Sequence, residues 1–413
     1  MRQIASARRV FRAFLLIAVP SAVPALAQRP AAPDTGMLRA ARIDSLPAPQ
    51  QRAWREYLAA SRTRYAADLA SIQRELREVG RDTIVSAVQG PNQVINARMT
   101  DAWFATPEAR RMADNILTFQ TPAGGWSKRL ELAKAPRQKG QNYGVEGWSY
   151  IGTFDNDATT DHMRFLARAD AAKSDPRYRA AFLKGLDYTL EAQYPNGCWP
   201  QVYPLQGGYH DAATMNDDML VHVLGLLREV ERGDVPFVPT AQRERAGAAV
   251  RSGIECILDS QALVNGAPTV WGAQSDPLTL QPVKARAYEH PSLSGSESVG
   301  VMEFLMGIPN PDARVSRAVH DAATWFREAA IPDHEMVNRN LVERKDAGPI
   351  WARFYEIGTN RPIFSNRDGI ILYEWAPLED ERKYGYAWYG TWPARALAEY
   401  EKWSSGQGFE GAQ

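Results

Sequence analysis

Apolar residues recur at three- and four-residue steps through most of this chain, and polar Gly- and Pro-containing phrases interrupt them at intervals. Thr106-Pro107 is an N-cap followed by proline at the first helical position, and Met112, Ile116 and Phe119 make the apolar stripe behind it. Asp175-Pro176 repeats that start, with Tyr178, Phe182, Leu186 and Leu190 at four-residue steps. Thr240 opens another helix, with Ala246, Val250, Ile254 and Ile257 inward. Segments 160–169, 218–231, 299–307 and 312–330 read as further helices, and 51–79 as one or two more. β-Alternation is scarce; Ile363-Phe364 and 370–373 read as short strands.

The helix ends repeat. Gln120 to Trp126 and Gln193 to Trp199 share the phrase Gln-x-Pro-x-Gly-x-Trp, and a looser copy runs from Gln261 through Gly266 to Trp271. Each follows a helical pattern, which predicts stacked or ringed helical hairpins with equivalent loops at one end. The fold expected is mostly α, a toroid of antiparallel helix pairs with a cleft at one face.

The first 27 residues predict something other than fold. Arg2, Arg8, Arg9 and Arg12 precede an apolar run from Phe14 to Val19, and Ala25-Leu-Ala27 offers a cleavage site. A secretory signal peptide over 1–27 implies an exported protein, periplasmic or extracellular, with no membrane contact after cleavage. Residues 28–50 are rich in Pro and Ala and read as a linker, 51–100 as an N-terminal helical segment, and 101–405 as the catalytic domain. Loss of four arginines leaves 44 basic against 48 acidic residues (48 − 4 against 48), which is not the balance of a nucleic-acid binder. Export permits a disulfide between Cys198 and Cys256; two buried thiols are the other reading.

Acidic phrases follow the first two repeats: Asp155-Asn156-Asp157 and, after Gly207 to Asp211, Asn216-Asp217-Asp218. If the repeats are equivalent, these carboxylates and amides face one cleft, and such oxygens suit a hard divalent cation, Ca²⁺ above all. Helix capping is the simpler account of Asp157 or Asp218 taken singly. The second half carries isolated cations, Lys284, Arg286, Arg353 and Arg367, whose partners are either protein acids or an anionic ligand. Together with twelve Trp and sixteen Tyr, these features suggest an acidic sugar polymer.

The phrases around Gln120 to Lys128, Thr153 to Thr160, Tyr194 to Gln201, Gly207 to Asp218 and Lys284 to Gly295 resemble the pectate lyases of polysaccharide lyase family 10, over roughly residues 100–400. His290 and Cys198 depart from the family's text. The resemblance implies an (α/α)3 barrel that cleaves polygalacturonate by calcium-dependent β-elimination; a monomer is expected. It implies Arg367 as the Brønsted base, because Arg367 lies 14 positions after Arg353 (367 − 353), which matches a second family arginine. It matches the calcium and substrate carboxylates to Asp155 and Asp217, which are expected to hold Ca²⁺ with Asn156 or Asp218 as a further ligand. Substrate would meet Arg286, Arg353, Lys284, Asn156, Lys128 and Tyr209, with Trp126 either a subsite wall or core.

Three rivals remain on sequence grounds. A glycoside hydrolase on the same architecture would use Asp155 and Asp217 as acid and base. A triterpene cyclase shares a similar repeat, but the export signal and the lack of an Asp-x-Asp-Asp motif oppose it. A polysaccharide-binding protein would keep the aromatic cleft without needing Arg367.

Overall fold

The computed structural model describes residues 36–147 and 151–406; the expected signal peptide lies outside the described residues. Helices α1 (Ala48–Glu78), α2 (Pro107–Phe119), α3 (Thr160–Ala172), α4 (Pro176–Glu191), α5 (Met219–Arg232), α6 (Thr240–Asp259), α7 (Glu297–Met306), α8 (Ala313–Glu328) and α9 (Trp392–Ser404) carry the fold. The pairs α3/α4, α5/α6 and α7/α8 are hairpins. Within the three hairpins, α3, α5 and α7 pack side by side in one layer, while α2, α4, α6 and α8 line up in the other. This is the (α/α)3 toroid expected. The start signals act as read: Thr106 Oγ1 accepts from Ala109 N at 3.2 Å, and Asp175 Oδ1 from Arg177 N at 2.9 Å.

The repeated phrase has a mechanical cause. Gln120 Nε2 donates to Gly124 O within its own loop and to Ala181 O on α4. Gln193 does the same to Gly197 O and Ala249 O on α6, and Gln261 to Thr269 O and Ala318 O on α8. One amide therefore closes each loop and ties it to the next helix of that layer. The tryptophan ends each phrase in the core. Trp126, Trp199 and Trp271 are fully buried, and their indole N–H groups reach Ile116 O, Thr189 O and Ile257 O. Each indole thus satisfies a carbonyl in the last turns of the preceding helix, which has no intrahelical partner there. Trp351 repeats the tie to Phe326 O at the end of α8, a fourth copy whose phrase is not legible in the sequence.

Residues 36–50 are not a free linker. Leu38 and Ile43 are buried in the main core, and Arg42 pairs with Asp276 at 2.8 Å. Helix α1 is one continuous strut across the loops. Its Arg64 grips Glu191 through two bonds of 2.8 and 2.6 Å, and its buried Asp68 accepts from Ala123 N.

Cys198 and Cys256 form a disulfide, Cα to Cα 5.3 Å, joining the second loop to α6. Closing a 58-residue separation restricts the unfolded chain by about 4 kcal/mol on the loop-entropy account. Replacing both cysteines with alanine is expected to lower the urea midpoint clearly with activity retained. An unchanged midpoint would show that the bridge contributes nothing.

A second, smaller core of Tyr288, Phe354, Ile363, Phe364, Leu378 and Trp388 sits apart from the first. It anchors the loops that carry the second-half cations: Arg286 stands two residues before Tyr288, Arg353 directly before Phe354, and Arg367 three after Phe364. Phe364–Ser365 and Ile371–Leu372 pair as an antiparallel hairpin, close to the strands expected, with Arg367 in its turn. Leu293–Ser294 pairs with Phe354–Tyr355 and joins this core to the start of α7.

Candidate functional site

The two acidic phrases are structurally equivalent. Each is a short 3-10 turn before a first-layer helix, and each holds two consecutive residues in the left-handed region. Asn156 and Asp157 have φ of 50° and 60°; Asp217 and Asp218 have 52° and 58°. Asn and Asp tolerate this conformation best among residues with a Cβ. Capping does not account for the acids. Helix α3 is capped by Thr159 with His162, and Asp218, at the N-cap of α5, makes no side-chain cap bond. Asn156 Nδ2 reaches Asp217 Oδ2 at 3.4 Å, so the two phrases meet.

A third equivalent start was missed in the sequence. Trp126 N donates to Thr159 Oγ1, and Trp271 N donates to Ser298 Oγ in the same way, both at 3.0 Å. Glu297, beside Ser298, therefore opens α7 as the acidic phrases open α3 and α5. Its signal, Ser294-Gly-Ser-Glu, follows the loosest copy of the repeat and has no Asn-Asp text.

These turns border a cavity of about 130 Å³ lined by Lys128, Arg129, Asp155, Asn156, Gln201, Tyr209, Asn216, Asp217, Gln274, Arg286 and Glu289. Six residues singled out from sequence meet here: Lys128, Asp155, Asn156, Tyr209, Asp217 and Arg286. Lys128 Nζ bonds Asp155 and lies 3.5 Å from Glu146. Arg286 Nε donates to Glu289 Oε2 at 2.7 Å, and Tyr386 Oη donates to Glu289 Oε1 at 2.7 Å. Burial opposes the charge on Arg286, but the Glu289 pair outweighs it and holds the guanidinium above its ordinary pKa. The same pair, against the pull of burial, holds Glu289 below the usual carboxylate range. Burial of His210 pushes it down to about 4, so it stays neutral beside Gln201.

Arg353 stands behind this cavity. It bonds Glu297, reaches Asp217 Oδ1 at 3.3 Å and lies 4.9 Å from the Tyr386 ring centre. Burial works against its charge, yet Glu297, Tyr386 and Asp217 keep it above arginine's usual value. Arg353 therefore works as a fixed cation.

Three expectations need correcting. Trp126 is no subsite wall; it is fully buried, stacked on His162 and bonded to Ile116 O. Asp218 does not join Asp155 at the cavity: its Oδ1 fills the space a Cβ would need at Gly300, and it borders a neighbouring cavity instead. Arg367 is not among the residues lining the small cavity. Its side chain is 64 % exposed, pairs with Glu381 at 2.8 Å and reaches inward only to the Tyr288 ring at 5.8 Å. Lys284 is exposed beside it, with Nζ 3.4 Å from where a Cβ would stand on Gly369. Arg367 and Lys284 thus form a rim.

The donor set fits a hard cation in an open site. Asp155, Asn156 and Asp217 bring oxygens to one cavity. Among the described residues no three His, Cys, Asp or Glu side chains group to cage a metal.

A family model described as pectic acid lyase matches residues 120–397. A family 10 polysaccharide lyase from Cellvibrio cellulosa, solved as a mutant in complex with trigalacturonic acid, is 36% identical, with 73% of this chain and 96% of that chain covered and a TM-score of 0.65. The family 10 polysaccharide lyase of the same organism, in another structure, is 34% identical over 76% of this chain and 99% of that one, with a TM-score of 0.66. Among curated proteins none matches. Among the described residues no helix is long and apolar enough to cross a membrane.

Proposed function

The chain belongs to the pectic acid lyases of polysaccharide lyase family 10, and on that premise we propose that it is an exported, calcium-dependent enzyme that cleaves polygalacturonate by β-elimination, with Arg286 at the reacting carbon. One observation carries this reading: Arg286 shares a single polar cavity with Asp155, Asn156 and Asp217. Export is supported by the signal-like first 27 residues and by the disulfide.

β-Elimination removes the C5 proton of a galacturonate, forms the C4–C5 double bond and expels the glycosidic oxygen from C4. Asp155, Asn156 and Asp217 would hold Ca²⁺, whose chemistry there is to draw charge from the C6 carboxylate as a Lewis acid. Arg286 faces the bound sugar. To accept the C5 proton it must first lose one, and Glu289 opposes that loss, so the Arg286–Glu289 pair has to open as the sugar binds. Arg353 and Lys128 supply fixed positive charge where uronate carboxylates lie. Arg367 and Lys284 hold the chain where it crosses the rim, and Tyr209 offers a flat face to a sugar ring. The departing oxygen takes its proton from solvent.

The test is ultraviolet absorbance of the unsaturated product, with purified protein on polygalacturonate, with Ca²⁺ and after chelation. A rise abolished by EDTA and restored by Ca²⁺ is expected. New reducing ends without that absorbance would instead support hydrolysis by Asp155 and Asp217. In the same assay Arg367→Lys is expected to raise KM several-fold and to change kcat little, as an exposed rim contact should. A loss of kcat beyond a hundredfold would return the central role to Arg367.

A further inference from the structure

The small cavity is lined by polar side chains throughout, and most of them are engaged within the protein. Lys128 bonds Asp155, Arg286 pairs with Glu289, Arg353 reaches Asp217, and Gln201 Oε1 meets His210 Nδ1 at 3.0 Å. Gln274 and Asn216 differ. They are buried, 4 % and 7 % exposed, and both line the cavity. Among the described residues neither side-chain amide has a hydrogen-bonding partner. Two amides held out of solvent cost stability unless something bonds them. The protein therefore leaves this pair for a ligand.

The repeat delivers Gln274 to the site. Lys128 and Gln201 stand two residues after Trp126 and Trp199, and Gln274 stands three after Trp271. All three reach the same cavity. The backbone fixes Gln274 on both sides. Thr214 is its partner in a short antiparallel ladder, and Val283 N donates to its carbonyl at 2.9 Å. Asn216 is held beside it, because Asn216 N donates to Ala273 O at 2.9 Å. The pair is thus ordered on folding rather than on binding.

The lyase reading leaves one part of the sugar for these amides. In the unit facing Arg286, cations and Ca²⁺ answer the C6 carboxylate, and the oxygen on C4 departs. The hydroxyls on C2 and C3 remain. Each can donate and accept, as a primary amide can. We propose that Gln274, with Asn216 beside it, is a specificity-determining residue that bonds these hydroxyls and excludes a unit O-acetylated at C2 or C3. An acetyl ester removes the hydroxyl donor and adds bulk inside a space of about 130 Å³. The inference rests on the lyase reading of the cavity. Cleavage at an acetylated unit must then follow removal of its ester by an ester hydrolase.

The experiment uses the full-length exported protein with Ca²⁺ on polygalacturonate and on the same polymer partly O-acetylated. Kinetics are read by ultraviolet absorbance, and acetyl groups in the products are placed by tandem mass spectrometry. The unsaturated unit of each product is the one that occupied the cavity. Wild-type products are expected to carry acetyl groups on other units and none on the unsaturated one. Gln274→Ala is expected to raise KM on polygalacturonate about tenfold, the scale of lost hydrogen bonding, with a smaller change in kcat. It should also release products acetylated on the unsaturated unit. Gln274→Met keeps the bulk without the polar end, so it should raise KM similarly and still exclude the ester. The proposal is overturned if wild-type products carry acetyl on the unsaturated unit as often as on the others. It is equally overturned if Gln274→Ala, melting as wild type does, leaves KM and the acetyl map unchanged. Where the alanine protein does not fold, an unchanged KM in the methionine protein overturns it in the same way. An unchanged KM with a raised Ca²⁺ requirement would make Gln274 a cation ligand and also defeat the proposal. No absorbance rise on either polymer would instead overturn the lyase reading and this inference with it.

Discussion

Arg286→Lys and Arg286→Ala are expected to lower kcat/KM on polygalacturonate by about a thousandfold or more, the scale seen when a positioned group acting in the transition state is removed. The loss should fall on kcat. Lysine keeps the charge but not the planar fork, and its amine cannot occupy both the Glu289 contact and the place facing C5. Alanine should also cost stability, because Glu289 is buried and keeps only neutral donors, Tyr386 Oη and the backbone N–H of residue 286, when the guanidinium goes, whereas lysine can retain the charge pair, so the kinetic loss is read on the folded lysine protein. Glu289→Gln supplies the complementary reading. It releases Arg286 from the charge that keeps it protonated. If Arg286 acts as base, the pH profile of kcat should extend to lower pH in that variant while the arginine variants stay inactive. If Arg286→Lys turns over near the wild-type rate, the role assigned to this arginine is wrong, and Arg367 becomes the residue to test.

Much of this is legible in the amino-acid text. The helical layers follow from apolar spacing and from Thr-Pro and Asp-Pro starts, which act locally and leave a local signature. The repeat announces the toroid because one Gln and one Trp do the same job in successive hairpins, bonding the same carbonyl positions. Equivalence of Asp155-Asn156-Asp157 with Asn216-Asp217-Asp218 can be read for the same reason. Other features depend on contacts far apart in sequence. The fourth tryptophan tie is hidden because Trp351 lies 25 residues beyond Phe326, with the His334–Val337 and Asn340–Glu343 hairpin between them. Glu297 and Tyr386 gain their meaning only through Arg353 and Glu289. The relative depth of Arg286 and Arg367 is hidden too, because spacing between phrases does not encode it. Arg286 is turned into the cavity by its bonds to Glu289, whereas Arg367 stands in a hairpin turn and pairs outward with Glu381. Trp126, which the sequence leaves as either subsite wall or core, fills the core between loop and helix.

Glu297→Ala is expected to be the most destabilising single change near the site, by about 3–5 kcal/mol, as when one partner of a buried ion pair is removed. The pair is well out of solvent, with side chains 12 % exposed for Arg353 and 2 % for Glu297. Removal leaves Arg353 with Asp217 alone, at 3.3 Å and on a carboxylate that is itself 40 % exposed. It also strips Ser294 of its bond to Glu297 at the start of α7. Glu297→Gln separates charge from shape. It can still accept from Arg353 and Ser294, so its loss should be smaller than alanine's, while Asp217 becomes the only carboxylate bonded to the guanidinium. Arg353 should then draw Asp217 inward, away from Asn156, and the concentration of Ca²⁺ needed for half-maximal activity should rise in the Glu297→Gln protein even where it remains folded. Thermal melting and calcium titration of the two variants check the argument together. A Glu297→Ala protein that melts with wild type would mean that Arg353 finds another partner and that the third helix start has no electrostatic part in the site. A calcium requirement unchanged in Glu297→Gln would uncouple Glu297 from Asp217 and leave it a purely structural carboxylate.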